Sequence, residues 1–178
     1  IYYSLDGTDP RQAGGGLQPG VHLHEGDSIS IFEDTEVLAR SRQAGEWSAL
    51  ERAVFVTDEP TPLRLTEIMY HPPEPLQMPE GIEADDFEFI EVLNTSATRV
   101  SLAGQVVDSG VGFTFRDGLK RFLEPGEAGV LVSHLDSFLE RYPDAGGSVL
   151  GEYRRQLGNA GDRLVWRDAV GRVLLSVT

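Results

Sequence analysis

Residues 88–110, EFIEVLNTSATRVSLAGQVVDSG, constrain this chain more than any other stretch. The run 87–94 is rich in β-branched and aromatic side chains, interrupted by Glu88 and Glu91, which is the pattern of a strand. Asn94-Thr95-Ser96 supplies turn chemistry, because short polar side chains bond their own backbone and tolerate unusual φ. Residues 100–102 resume the strand, Gly104 breaks it, and residues 105–107 begin another. Short apolar runs recur along the whole chain among 20 Gly and 10 Pro, so many turns and an all-β protein are expected.

Composition narrows the function classes. At 178 residues the chain forms one or two domains, either able to bury a sizeable core. No run approaches eighteen consecutive apolar residues, so no membrane span is expected. The absence of Cys removes disulfides, thiolate metal sites and cysteine nucleophiles together. A formal charge of −14 repels phosphate backbones and argues against nucleic acid as a partner. An acidic face that keeps the chain in solution is the plain reading; a cation or a basic partner is the sharper one. The opening Ile1-Tyr2-Tyr3 already reads as the middle of a strand, without Met or leader, so a fragment of a larger protein is expected.

Taken in order, residues 1–11 form a strand and a turn, with Gly7 free to take φ > 0 and Pro10 fixing φ near −65°. Residues 12–20 are a glycine-rich loop. Val21-His22-Leu23-His24 alternates and places both histidines on one face. Ile29, Ile31 and Phe32 mark a further strand. Residues 37–42 alternate Val37, Ala39 and Ser41 against Leu38, Arg40 and Arg42, and a last strand surrounds 53–56. The phrases IYYSLDGTDPR, VLARSR and EWSALERAVF resemble the small fibronectin-type-III-like module at the C-terminus of chitobiase-type glycosidases. Members of that family carry a further strand ahead of the first phrase. The resemblance implies a β-module over residues 1–57, truncated at its start.

Residues 58–62, DEPTP, hold two prolines and two acids that cannot continue a sheet ladder and read as a linker. Residues 63–178 then form the second domain. A first strand covers 63–70, and 71–86 is a long loop of the kind that is either functional or unstructured. Phe113 and Phe115 alternate inward, and Asp117-Gly118 and Pro125-Gly126 turn the chain. Leu135, Phe138, Leu139 and Tyr142 fall on one helical face, with Ser133 or Asp136 able to cap its start and Pro143 stopping it. A hairpin closes the chain through 163–167 and 173–177, with Gly171 suited to a left-handed position.

Six phrases in this half, LRLTEIMYHPP, EFIEVLN, VSLAGQ, FTF, LEPGEAGVLVS and LGNAGDRLVWRDAVGRVLL, resemble in order the lamin tail domain. That family is an immunoglobulin-like β-sandwich found in nuclear lamins and in many bacterial secreted proteins. It has an aromatic where Gln105 stands, and Trp166 is the candidate to fill the space from a neighbouring strand. The fold class expected is therefore all-β: two tandem β-sandwich modules, the second immunoglobulin-like with one short helix.

Chemistry-bearing residues are sparse. No Gly-x-Ser-x-Gly phrase is present, and the four histidines lie at strand faces or loop edges. Glu88 and Glu91, three apart on a strand, fall on opposite faces and read as decoration rather than an acid–base pair. His22 and His24, with Glu25 and Asp27 nearby, hold a weak case for a transition-metal pair. The best hard-cation candidates are Glu80, Glu83, Asp85, Asp86 and Glu88, because calcium takes carboxylate and carbonyl oxygens from flexible acidic loops. Their spacing fits no EF-hand, and a solvated acidic loop is the plainer reading. Arg154-Arg155 and Lys120-Arg121 read as local salt-bridge partners.

The two resemblances imply a non-catalytic accessory part of a large exported bacterial protein. Such a part spaces, anchors or binds other domains of its parent, a protein or a polysaccharide, at the cell surface, in the periplasm or outside the cell. No cofactor beyond a calcium ion is implied. The rival reading is a carbohydrate-binding module, for which Tyr2, Tyr3, Trp47 and Trp166 are the stacking candidates.

Overall fold

A computed structural model describes residues 1–26, 28–73, 81–116 and 119–178. Asp27, Glu80 and the Asp117-Gly118 turn therefore lie outside the described residues. The fold is all-β, with one short α-helix. Its internal contacts divide it into two compact units, Ile1–Asp58 and Glu59–Thr178.

The first unit holds β1 (Tyr2–Ser4), β2 (His22–Leu23), β3 (Thr35–Arg40), β4 (Arg42–Gln43), β5 (Glu46–Trp47) and β6 (Glu51–Phe55). Four of them form an antiparallel sheet in the order β2-β1-β3-β6, and β4 and β5 pair as a separate ribbon. Alternation decides which face is covered. Ser4, Glu36 and Leu38 point one way and are buried, whereas Tyr3, Val37 and Ala39 point the other and stay half-exposed. Trp47 closes the glycine-rich loop over the covered side: its indole N–H donates to the Gly15 carbonyl at 2.8 Å, and its ring meets Tyr2 at 5.5 Å and the Arg42 guanidinium at 5.1 Å. Arg40 reaches Asp9 through two bonds of 2.7 Å and fixes the Asp-Pro turn.

One expectation fails here. Ile29, Ile31 and Phe32 do not form a strand, and the Phe32 side chain is 88% exposed. Among the described residues no strand pairs with them, and β propensity alone does not hold an extended segment in a sheet.

The second unit holds β7 (Leu63–Met69), β8 (Phe89–Asn94), β9 (Val100–Ser101), β10 (Val106–Asp108), β11 (Phe113–Thr114), β12 (Phe122–Leu123), β13 (Ala128–Val132), α1 (Leu135–Arg141), β14 (Val149–Glu152), β15 (Leu164–Arg167) and β16 (Val173–Val177). Two four-stranded sheets, β14-β13-β8-β7 and β11-β10-β15-β16, form a sandwich, with β12-β9 as a ribbon. Every pairing is antiparallel except β13 with β14. Leu63, Ile90, Val92, Leu131 and Leu150 of the first sheet share one core with Val107, Phe113, Leu164 and Trp166 of the second.

β8 is central in its sheet, so both its faces are occupied. Ile90, Val92 and Asn94 face the sandwich interior. Phe89 faces outward but is covered by Phe138 of α1, ring to ring at 5.6 Å, in a second small core with Val130, Val132 and Val149. The helix is capped by His134, whose Nδ1 accepts from the Ser137 N–H, and not by Ser133 or Asp136. Ser133 stands one residue ahead of the N-cap position, and its hydroxyl donates to the Asp85 carbonyl at 2.7 Å. At the closing hairpin Gly171 takes φ +87°, and the Asp168 carboxylate accepts from the N–H groups of Val170 and Arg172 inside the turn.

Candidate functional site

Parity along β8 extends one step beyond the strand. Glu88 is in phase with Ile90 and Val92, so its side chain enters the sandwich, and it is fully buried. One carboxylate oxygen accepts from the Leu157 N–H at 2.9 Å and from the Tyr153 hydroxyl at 3.3 Å. The other is buried with no hydrogen-bond partner among the described residues. Burial, joined by the nearby charges of Asp85 and Asp86, pushes the Glu88 carboxyl above the ordinary range. Burial likewise raises the Tyr153 hydroxyl, with the Glu88 charge adding to it. Glu88 is thus no surface decoration, which is a correction to the reading from strand composition alone.

Asp85 and Asp86 lie on a 3-10 turn, Ala84–Phe87, which Glu83 precedes. Asp86 accepts from the Glu83 N–H at 2.9 Å, and the Asp85 carbonyl accepts from the Glu88 N–H and the Ser133 hydroxyl. The carboxylate of Asp86 is therefore committed to the turn, and that of Glu88 to the interior. Among the described residues, no three His, Asp or Glu side chains come together as a metal centre. The turn packs beside α1, where the Arg141 guanidinium lies 3.8 Å over the Phe87 ring and donates to the Pro73 carbonyl at 2.8 Å.

His22 and His24 do share a face, both against Tyr3: ring centroids are 5.1 Å apart for His22, stacked, and 6.4 Å for His24, edge-on. His134 caps α1 and His71 sits beside Tyr70. Lys120 pairs with Glu127, whose carboxyl burial pushes up but Lys120 and the Glu124 N–H pull, on balance, below the ordinary range. Arg155 donates to the Val111 carbonyl at 2.9 Å.

Of the four sugar-stacking candidates, Trp166 drops out because it is fully buried. Its indole N–H donates to the Gln105 side-chain carbonyl at 2.7 Å, and Gln105 in turn donates to the Ser101 carbonyl at 2.8 Å. The Gln105 amide and the Trp166 indole, at neighbouring strands, thus bond to each other inside the core. Trp47 is engaged by Gly15, Tyr2 and Arg42, as described above. Tyr3 is half-exposed on the open face, and sequence patterning did not single out Tyr70, which is 51% exposed.

Clefts open among the described residues of the second unit. One of about 650 Å3 runs between β11 and β14 and is lined by Asp108, Phe113, Leu119, Arg154 and Arg155. Another of about 480 Å3 lies beside Tyr70, Leu157, Asn159, Asp162 and Val177. Glu88, the carboxyl whose proton affinity departs upward, lines neither. An acid or base has to reach the proton it moves within hydrogen-bond distance or through one water. No known protein family matches the chain, and no curated protein matches it either.

Proposed function

We propose that this chain is a non-catalytic accessory part of a larger exported bacterial protein, a chitobiase-C-terminal-like β-module followed by a lamin-tail-like immunoglobulin sandwich. It acts at the cell surface, in the periplasm or outside the cell, as a spacer or docking element for other domains or proteins. The observation that carries this reading is the employment of the buried polar groups. Glu88, Asn94, Gln105 and Asp168 all hold main chain or core, and none of them opens on a cleft. Asn94 is the clearest case: its amide donates to the carbonyls of Thr98, Leu123 and Glu124, and its oxygen accepts from Ser96. Buried polar groups bonded to main chain in this way fix a structure.

The test is a screen of the chain against ester, glycoside and phosphoester substrates, with and without added calcium or zinc. No turnover is expected. Turnover that Glu88→Gln abolishes would overturn the reading. The carbohydrate-binding alternative rests on Tyr3 and its two histidines. It predicts retention on a polysaccharide gel that Tyr3→Ala removes.

A further inference from the structure

In the second unit β11 ends one sheet and β14 ends the other. Beside them Gly112 and Arg154 exchange two backbone bonds, of 3.0 and 2.9 Å, that tie the sheet edges together. The cleft of about 650 Å3 opens along this seam, within the range of roughly 300–1,000 Å3 that holds a bound ligand. Phe113, Leu119 and Leu135 give it apolar walls, and the exposed Arg154 and Arg155 line it as well. Acids outnumber Lys and Arg by 29 to 15, so these two arginines were expected to find carboxylate partners. Among the described residues neither does. Arg155 donates to the neutral Val111 carbonyl, and the Arg154 guanidinium has no hydrogen-bond or ion-pair partner. The carboxylates of the lining are engaged elsewhere: Asp108 meets Arg167 at 3.0 Å, and Glu152 accepts from the Leu135 N–H at 2.8 Å. Asp108 keeps one oxygen, Oδ1, buried with no hydrogen-bond partner among the described residues. Arg155 also holds φ +70°, a left-handed conformation that costs stability in a residue with a side chain.

We propose that this cleft binds the free C-terminus of another polypeptide, one that ends in a large apolar residue. Its terminal carboxylate takes the guanidiniums of Arg154 and Arg155, whose planar N–H forks match a carboxylate. Its last side chain packs against Phe113, Leu119 and Leu135. A peptide N–H supplies the donor that Asp108 Oδ1 lacks, and edge strands offer backbone groups to an extended chain. Chain charge as a whole is −14, yet Arg154, Arg155 and Arg167 set three cations here against the two carboxylates of Asp108 and Glu152. A fatty acid would satisfy the arginines and the walls but leave Asp108 without a donor. Inorganic phosphate has no apolar body to fill the cleft. The site gives the docking reading above its partner and rests on that reading. Peptide binding can fail while the chain still turns over no substrate, so the two stand or fall by different measurements.

The experiment is fluorescence anisotropy on the full chain with labelled hexapeptides ending in Leu, Phe or Val, each made as the free acid and as the C-terminal amide. The free acids are expected to bind with Kd on the order of 10–100 µM, and the amides at least about tenfold more weakly. Arg154→Gln is expected to cost the free acid at least about tenfold and the amide nothing, and Arg154→Lys to restore part of the loss. Leu119→Glu, which sets a carboxylate among the apolar walls, is expected to abolish binding. Arg154 and Leu119 are both exposed, so both variants are expected to melt as the wild type does, which separates loss of binding from loss of folding. Free acids that all fail to bind at about 1 mM chain overturn the proposal, as do amides that bind as well as the acids. Binding indifferent to both Arg154→Gln and Leu119→Glu places the peptide elsewhere and overturns it too. Dodecanoate that binds more tightly than every peptide, as read by displacement, would make the occupant a fatty acid instead.

Discussion

At the scale of single residues, Glu88 carries the most physical information. Its folded carboxyl holds a proton more tightly than the unfolded chain does, because burial disfavours the charge. The contribution is therefore fully present below the unfolded value of about 4.3 and is lost as pH rises through the raised folded value. Asp9 and Asp168 run the other way. Asp9 is held low mainly by Arg40; Asp168 is raised by burial but lowered further by Arg172 and the turn N–H groups. Their contribution is present above about 3.9 and is lost as pH falls through the depressed folded values. Melting temperature against pH is expected to fall on the alkaline side of about 4.3, and Glu88→Gln to flatten that fall while leaving the acid limb intact. A fall that persists in Glu88→Gln would assign it to another group. This role was legible in the sequence: positions 88, 90, 92 and 94 share one parity, and the apolar pair at 90 and 92 names the inward side. Composition drew the eye to the acids on either side instead. The Gln105–Trp166 bond was not legible, since 61 residues separate an amide and an indole that only the sheet pairing brings together.

At the scale of elements, strand alternation decided the sandwich. Ile90→Asp is expected to cost several kcal/mol, because it places an unpaired charge where Ile90 is 1% exposed. A cooperative melt close to wild type would mean the inward register is wrong. Gly129 of β13 tests the packing between strands. A Cβ there would meet Leu150 at 2.7 Å and Leu123 at 2.9 Å, so Gly129→Ala is expected to cost about 1–3 kcal/mol, read by chemical denaturation. The elements that sequence patterning missed are those set by partners far along the chain. Residues 29–32 had the composition of a strand and no neighbour to pair with. Ser133 had the chemistry of a cap but stands one residue ahead of the N-cap position, its hydroxyl donating to the Asp85 carbonyl 48 residues earlier, and His134 caps the helix. The 3-10 turn at Ala84–Phe87 followed no apolar period, being held by Glu83, Asp86 and Ser133 instead.

At the scale of the whole molecule, the two units are unequal. Buried core hydrophobics concentrate in Glu59–Thr178, whereas Leu38 stands nearly alone in Ile1–Asp58. Stability follows apolar area removed from water, so the second unit is the sturdier body and the first the more readily opened. The account rests above all on a second unit that is a complete sandwich organised around β8. Limited proteolysis of the whole chain, followed by mass spectrometry, tests that claim most directly. The account predicts early cleavage on the N-terminal side of Leu63 and a resistant fragment that retains β8 through β16. First cuts inside residues 88–107 would contradict it.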